Sequence, residues 1–213
     1  MAKKRLEQRI PTHEEINDIL KEVKRDEYEL FEFSRFMFET IVDPEACHAL
    51  ERDPDAEMQC DMAFTEWMLF DFEPEPGMSL IKRAARKNRE FAEYAKTQFY
   101  SRFWVIEQHP KKGWSLLRDT FTNVDYRVYD DTIARRRKWR KGTLGIRIAR
   151  VKGVWYAAGQ LYLHDNAKSK PQPACKEKHK GPRNNPLAFI VNVEQVIGHT
   201  GSFRESAWIE ELT

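Results

Sequence analysis

Arg135, Arg136, Arg137, Lys138, Arg140 and Lys141 place six cationic side chains within seven consecutive positions, and Trp139 is the only other residue in the run. Cations at this density neutralise phosphates and release their counterions, and an indole among them can stack on a base of any identity. Arg147, on the next extended stretch, joins them in the expected nucleic-acid-binding set. The same residues admit a second reading. Six charges in seven positions cannot be buried, so the run also fits a solvated loop or a protected sheet edge whose Trp139 tucks into the core. Lys82, Arg83, Arg86 and Lys87 share one helical face and are the candidates to extend the patch.

No other constellation carries comparable chemistry. Cys175 and His179 have a C-x3-H spacing that fits half of a zinc site, with His164 nearby, but a structural zinc needs four ligands and no second pair accompanies them. No metal is therefore expected. Cys47 and His48 are neighbours, which on a helix point in different directions, and Cys60 sits among apolar residues where a thiol acts as a small hydrophobe. Acidic pairs such as Glu14-Glu15 read as solvated. Phosphate-cradling glycine loops and the G-x-S-x-G elbow are missing. The expectation is a non-enzymatic binding module with no cofactor and no catalytic residues.

Charge layout says where an acidic partner would bind. Residues 1–100 hold 15 Lys/Arg against 23 Asp/Glu, a net of −8, while residues 101–213 hold 21 against 11, a net of +10. The basic half is the candidate to engage RNA or single-stranded DNA. The rival is a protein-interaction module in which that half docks on an acidic partner or on the acidic half of another copy. With 41% hydrophobic residues among 213, the chain has the material for a packed core. The basic start lacks the apolar stretch of a signal peptide, no segment approaches a transmembrane span, and three cysteines make no disulfide framework. A cytoplasmic protein without membrane association is expected, its oligomeric state open.

The first hundred residues carry a helical period. Thr12 to Glu15 form a capping box, and Ile16, Ile19, Leu20 and Val23 follow on one face. A second helix is predicted from about Glu27 to Ile41, so rich in phenylalanine that most of its circumference should be buried. A third opens at Asp53-Pro54 and carries Met58, Met62, Thr65, Leu69 and Phe72 as a core stripe, until Pro74 to Gly77 end it. One or two more run from Ser79 to about Tyr100, with Phe91, Tyr94, Ala95 and Phe99 on the inner face.

After Ser101 the period becomes two. Five short strands follow: "RFWVIEQ", "WSLLRDT", "VDYRVYD" with Asp125, Arg127 and Tyr129 on one face, "LGIRIARV", and "VWYAAGQLYLH". Gly145 and Gly159 are the expected bends. Residues 165–186 are polar and read as a flexible loop, and 187–213 as an extra strand, "LAFIVNV", with a short terminal helix.

At "FTEWMLFDF" (Phe64 to Phe72) with its Pro/Gly break and Leu80, at "LLRDTFTNVDYRV" and at "RKGTLGIRI", the chain resembles a group of uncharacterised bacterial proteins over about residues 60–163. The resemblance implies a helical segment before a small β-barrel, and many members end in a cysteine-rich SEC-C zinc motif. Here only Cys175 stands where that motif needs two pairs. The resemblance also implies that Lys141 to Leu144 enter a barrel strand, which puts Arg135 to Arg140 on the rim. The expected fold is α+β: an acidic unit of four or five helices (1–100), then a small, basic, mostly antiparallel β-barrel or roll (101–164), the polar loop, and the terminal strand and helix packed on the β unit.

Overall fold

The computed structural model describes residues 7–42, 54–164 and 171–175. It is a mixed α+β protein in which helices precede a five-stranded sheet that closes in a ring. Helix α1 (His13–Asp26) starts as its capping box dictates: Thr12 Oγ1 accepts the Glu15 amide at 3.2 Å, and the Glu15 carboxylate accepts the Thr12 amide at 2.8 Å. Helices α2 (Tyr28–Ile41) and α3 (Pro54–Phe70) follow, then α4 (Leu80–Lys87). A 3-10 turn at Arg89–Phe91 leads to α5 (Ala92–Thr97). No helix among the described residues is long and apolar enough to cross a membrane.

The strands are β1 (Phe99–His109), β2 (Trp114–Asp119), β3 (Asp125–Tyr129), β4 (Thr143–Val151) and β5 (Val154–His164). Ring order is β1-β2-β3-β5-β4. β1 is long enough to pair antiparallel with β4 through its first half and with β2 through its second. β3 and β5 close the ring in parallel, through Val128↔Trp155 and Tyr129↔Tyr156. Phe99, Phe103, Val105, Leu117, Val128, Leu144, Ile146 and Ile148 alternate inward and fill it. Phe99 thus begins a strand and does not end a helix, because its chain has already left the helical period at Gln98.

Part of the outer face of β1, β4 and β5 is covered by the helices. Tyr100, Ala149, Val151 and Tyr162 pack into the helical core with Phe64, Trp67, Met68, Leu80 and Ile81. At the centre of this joint β5 bulges: Ile146 faces Leu161 but Ile148 faces Ala157, so Ala158, Gly159 and Gln160 lie opposite Arg147 alone. Glu66 of α3 fills the bulge, accepting the Gln160 amide at 2.7 Å and Arg147 Nε at 3.0 Å. Arg147 also donates to Asp71 at 2.5 Å and to the Gln98 side chain at 2.6 Å, with its guanidinium 4.6 Å from the centre of the Phe70 ring. One cation thus holds two carboxylates in an almost dry joint, and burial raises the Glu66 pKa even against the pull of Arg147.

Two of the helical expectations are corrected. Helix α2 is not buried around most of its circumference, since Tyr28, Phe33, Phe36 and Ile41 are exposed and only Ser34 and Phe38 are fully covered. Met58 and Met62 are 52% and 47% exposed, whereas Leu69 and Phe72 of the same stripe are buried as expected, beside Phe64, Trp67 and Met68. As expected, Gly159 sits at a bend, whereas Gly145 pairs regularly with both neighbouring strands. Within the predicted polar loop, residues 171–175 lie along the β2–β3 turn: Arg118 donates to the Gln172 carbonyl at 2.8 Å and the Cys175 amide to the Asn123 carbonyl at 2.8 Å. The remainder of that loop and the predicted terminal strand and helix lie outside the described residues.

Candidate nucleic-acid interface

The cationic run forms the connection between β3 and β4. Asp130 caps α6 (Asp131–Arg135) by accepting the Ile133 amide at 2.8 Å, and a 3-10 turn over Arg137–Lys141 carries the chain into β4. This connection closes one end of the ring. Ile133 and Ala134 are fully buried, and the Gln108 side chain of β1 donates to the carbonyls of Ile133 at 2.6 Å and Arg136 at 2.9 Å. The β1–β2 turn abuts the same segment, with the Asp130 amide donating to the Gly113 carbonyl at 3.0 Å.

Two members of the expected binding set are removed from it. Trp139 is 7% exposed and packs into the ring's core, because it is the one apolar side chain the short 3-10 turn can insert. It is a plug, not a stacking surface. Arg147 is fully buried and committed to Glu66 and Asp71, so it cannot reach a phosphate. Of the four helical cations expected to extend the patch, three are ion-paired, Lys82 with Glu73 at 3.3 Å, Arg83 with Glu27 at 2.8 Å, and Lys87 with Glu22, while Arg86 is exposed.

What remains is a compact cationic end. Arg135, Arg136, Arg137, Lys138 and Arg140 are exposed, as are Lys111 and Lys112 on the adjoining turn. Arg135 is paired with Asp131 at 3.1 Å. Among the described residues Arg136, Arg137, Lys138 and Arg140 have no carboxylate partner, in contrast to the paired helical cations. Lys141 belongs to the same turn.

A row of rings that the opening run did not indicate begins at this end. His109, Trp114, Tyr129 and Tyr156 are register neighbours across β1, β2, β3 and β5, on the outer face. The His109 ring stacks on Trp114 with centroids 3.7 Å apart, and Arg127 lies 4.5 Å from the Trp114 centroid from the β3 side. Tyr129 and Tyr156 are 6.0 Å apart. Trp114 is covered by its flanking groups, so solvent meets the imidazole and guanidinium planes, both of which stack on bases. The alternation of "VDYRVYD", which sets Arg127 and Tyr129 on one face, was the sequence signal for it.

Among the described residues no group of three or more His, Cys, Asp or Glu is placed to hold a metal ion. His179 lies outside the described residues. The chain matches no protein-family model, no curated protein and no solved structure.

Proposed function

We propose that the β unit is a small Greek-key barrel that binds single-stranded nucleic acid, RNA or DNA, across its outer β1–β2–β3 face. The observation that carries this reading is the juxtaposition of unpaired cations with a row of planar side chains at one end of the ring. Phosphates meet Arg136, Arg137, Lys138, Arg140, Lys111 and Lys112, and bases meet His109, Arg127 and Tyr129. Topology supports the same reading. Three hairpin-connected strands and a fourth returning beside the first make a Greek key, and five-stranded Greek-key barrels bind oligonucleotides on the face of their second and third strands. Flat planes that accept any base favour a strand whose bases are unstacked and free, and disfavour a duplex.

The test is fluorescence anisotropy of labelled single-stranded RNA and DNA, with a duplex control, at several salt concentrations. If about five phosphates are neutralised, log K falls against log salt with a slope near −3.5, at about 0.7 per phosphate on a single strand. The triple variant Arg136→Ala, Arg137→Ala, Lys138→Ala reduces that slope by about 2 and leaves thermal unfolding unchanged. Binding that survives with its slope intact refutes the site, and no binding to either single strand at low salt refutes the function.

A further inference from the structure

The first part of the α3 stripe that sequence periodicity assigns to the core, Met58, Met62 and Thr65, lines an open cleft of about 910 Å³ between α3, the α1 region and β5. Met58 and Met62, one helical turn apart, form its half-exposed wall, while Met68 nearer the end of α3 is fully buried. Ile10 and Ile16 line the cleft too, with Ala157, Ala158 and Gly159 of β5. Glu57, Asp61 and Asp130 line the cleft with Glu66 at its base, and among the described residues His13 is the only basic side chain in its lining. Asp61 is ion-paired with Arg35 at 2.7 Å and keeps 54% of its side chain exposed.

We infer that this cleft receives a basic amphipathic helix from a partner protein. Flexible, polarisable methionines adapt to the apolar side of such a helix, and a groove of this kind reads it through anchors at helical spacing. Glu57 and Asp61 supply the complementary charge for its Lys or Arg residues. The stripe from Glu57 to Leu69 extends about 18 Å at 1.5 Å per residue, which matches a partner segment of about 12 residues. Apart from Asp130, none of these residues belongs to the connection that carries the cationic end, and none is in the proposed oligonucleotide-binding set.

The full chain, labelled with 13C at its methionine methyls, is titrated with a synthetic Leu/Lys peptide of about 12 residues whose leucines share one helical face. Controls are a scrambled peptide of identical composition and a Leu/Glu counterpart. The expected result is saturable binding of the Leu/Lys peptide alone, with the Met58 and Met62 methyl resonances moving and Met68 still. Met58→Lys with Met62→Lys weakens binding at least tenfold, as does Glu57→Lys, a change on an exposed position. Glu29→Lys with Glu39→Lys, on the exposed side of α2, leaves it unchanged. Equal binding of the scrambled peptide, no binding, or affinity indifferent to the cleft variants overturns the inference, as does a single-stranded oligonucleotide that moves the same two methyls.

Discussion

Gly159 offers the sharpest test of how the helices are fixed to the ring. It is solvent-exposed, yet a Cβ there would lie 2.5 Å from Glu66 Oε1, 2.7 Å from Cδ and 2.8 Å from Oε2. Its φ is not in the left-handed region, so the whole effect of Gly159→Ala is steric. The carboxylate must retreat by about 1 Å to reach ordinary contact distance, and doing so stretches its bonds to Arg147 Nε and the Gln160 amide. Hydrogen bonds to charged groups contribute about 1.5–3 kcal/mol each, so loss of one of them, offset by the roughly 0.4–1 kcal/mol that Gly→Ala gains through the unfolded chain, predicts a net loss of about 0.5–2.5 kcal/mol. With Glu66→Ala in the background there is nothing to displace, and the same change becomes neutral or stabilising by about 0.5 kcal/mol. The assay is a double-mutant cycle by urea unfolding at constant m. A Gly159→Ala protein as stable as the parent, or one equally destabilised in both backgrounds, refutes the account of the joint.

Trp139→Ala lowers stability by about 3–5 kcal/mol, as truncating a buried indole does, whereas Arg137→Ala two residues away stays within about 0.5 kcal/mol; paired urea titrations check both. Arg147→Ala strands Glu66 and Asp71 in the dry joint and costs about 3–5 kcal/mol, while leaving the oligonucleotide affinity of the folded fraction unchanged. Glu15, held down to about 2 by its hydrogen bonds from Arg9 and the Thr12 backbone, stabilises the fold fully above its ordinary 4.5. That contribution is lost as pH falls from 4.5 to about 2, so Glu15→Gln flattens this part of an acid titration followed by circular dichroism.

Local chemistry was legible wherever one segment decides its own structure. The Thr12–Glu15 box, Pro54 at the start of α3, and the alternation of β2 to β5 each state their element without reference to distant residues. What escaped was which outward face another unit covers. Arg147 alternates outward in "LGIRIARV", and nothing within that strand says that α3, some eighty residues earlier, lies on top of it. The available clue was Glu66, an acid set among Phe64, Trp67, Met68 and Leu69, which demands a buried partner. Met58 and Met62 were misassigned for the converse reason, since helical period marks an apolar face but not whether anything fills it. Trp139 could be read either way, because a single ring among six cations can be displayed or inserted, and only the open end of the ring decides.

The two-residue seam between β3 and β5 has a consequence for assembly order. β1, β2 and β3 join through short turns, as do β4 and β5, so these two pieces can form from contacts near in sequence. The seam must bring Val128 to Trp155 with only Tyr129 and Tyr156 to reinforce it, in the parallel arrangement that is slightly weaker per residue. Its closure entropy is met before much pairing is gained, which makes it the late clasp of an otherwise pre-assembled cylinder. A strand lying across Tyr129 and Tyr156 would bridge that clasp, so a bound oligonucleotide would slow the cylinder's opening as well as occupy its surface.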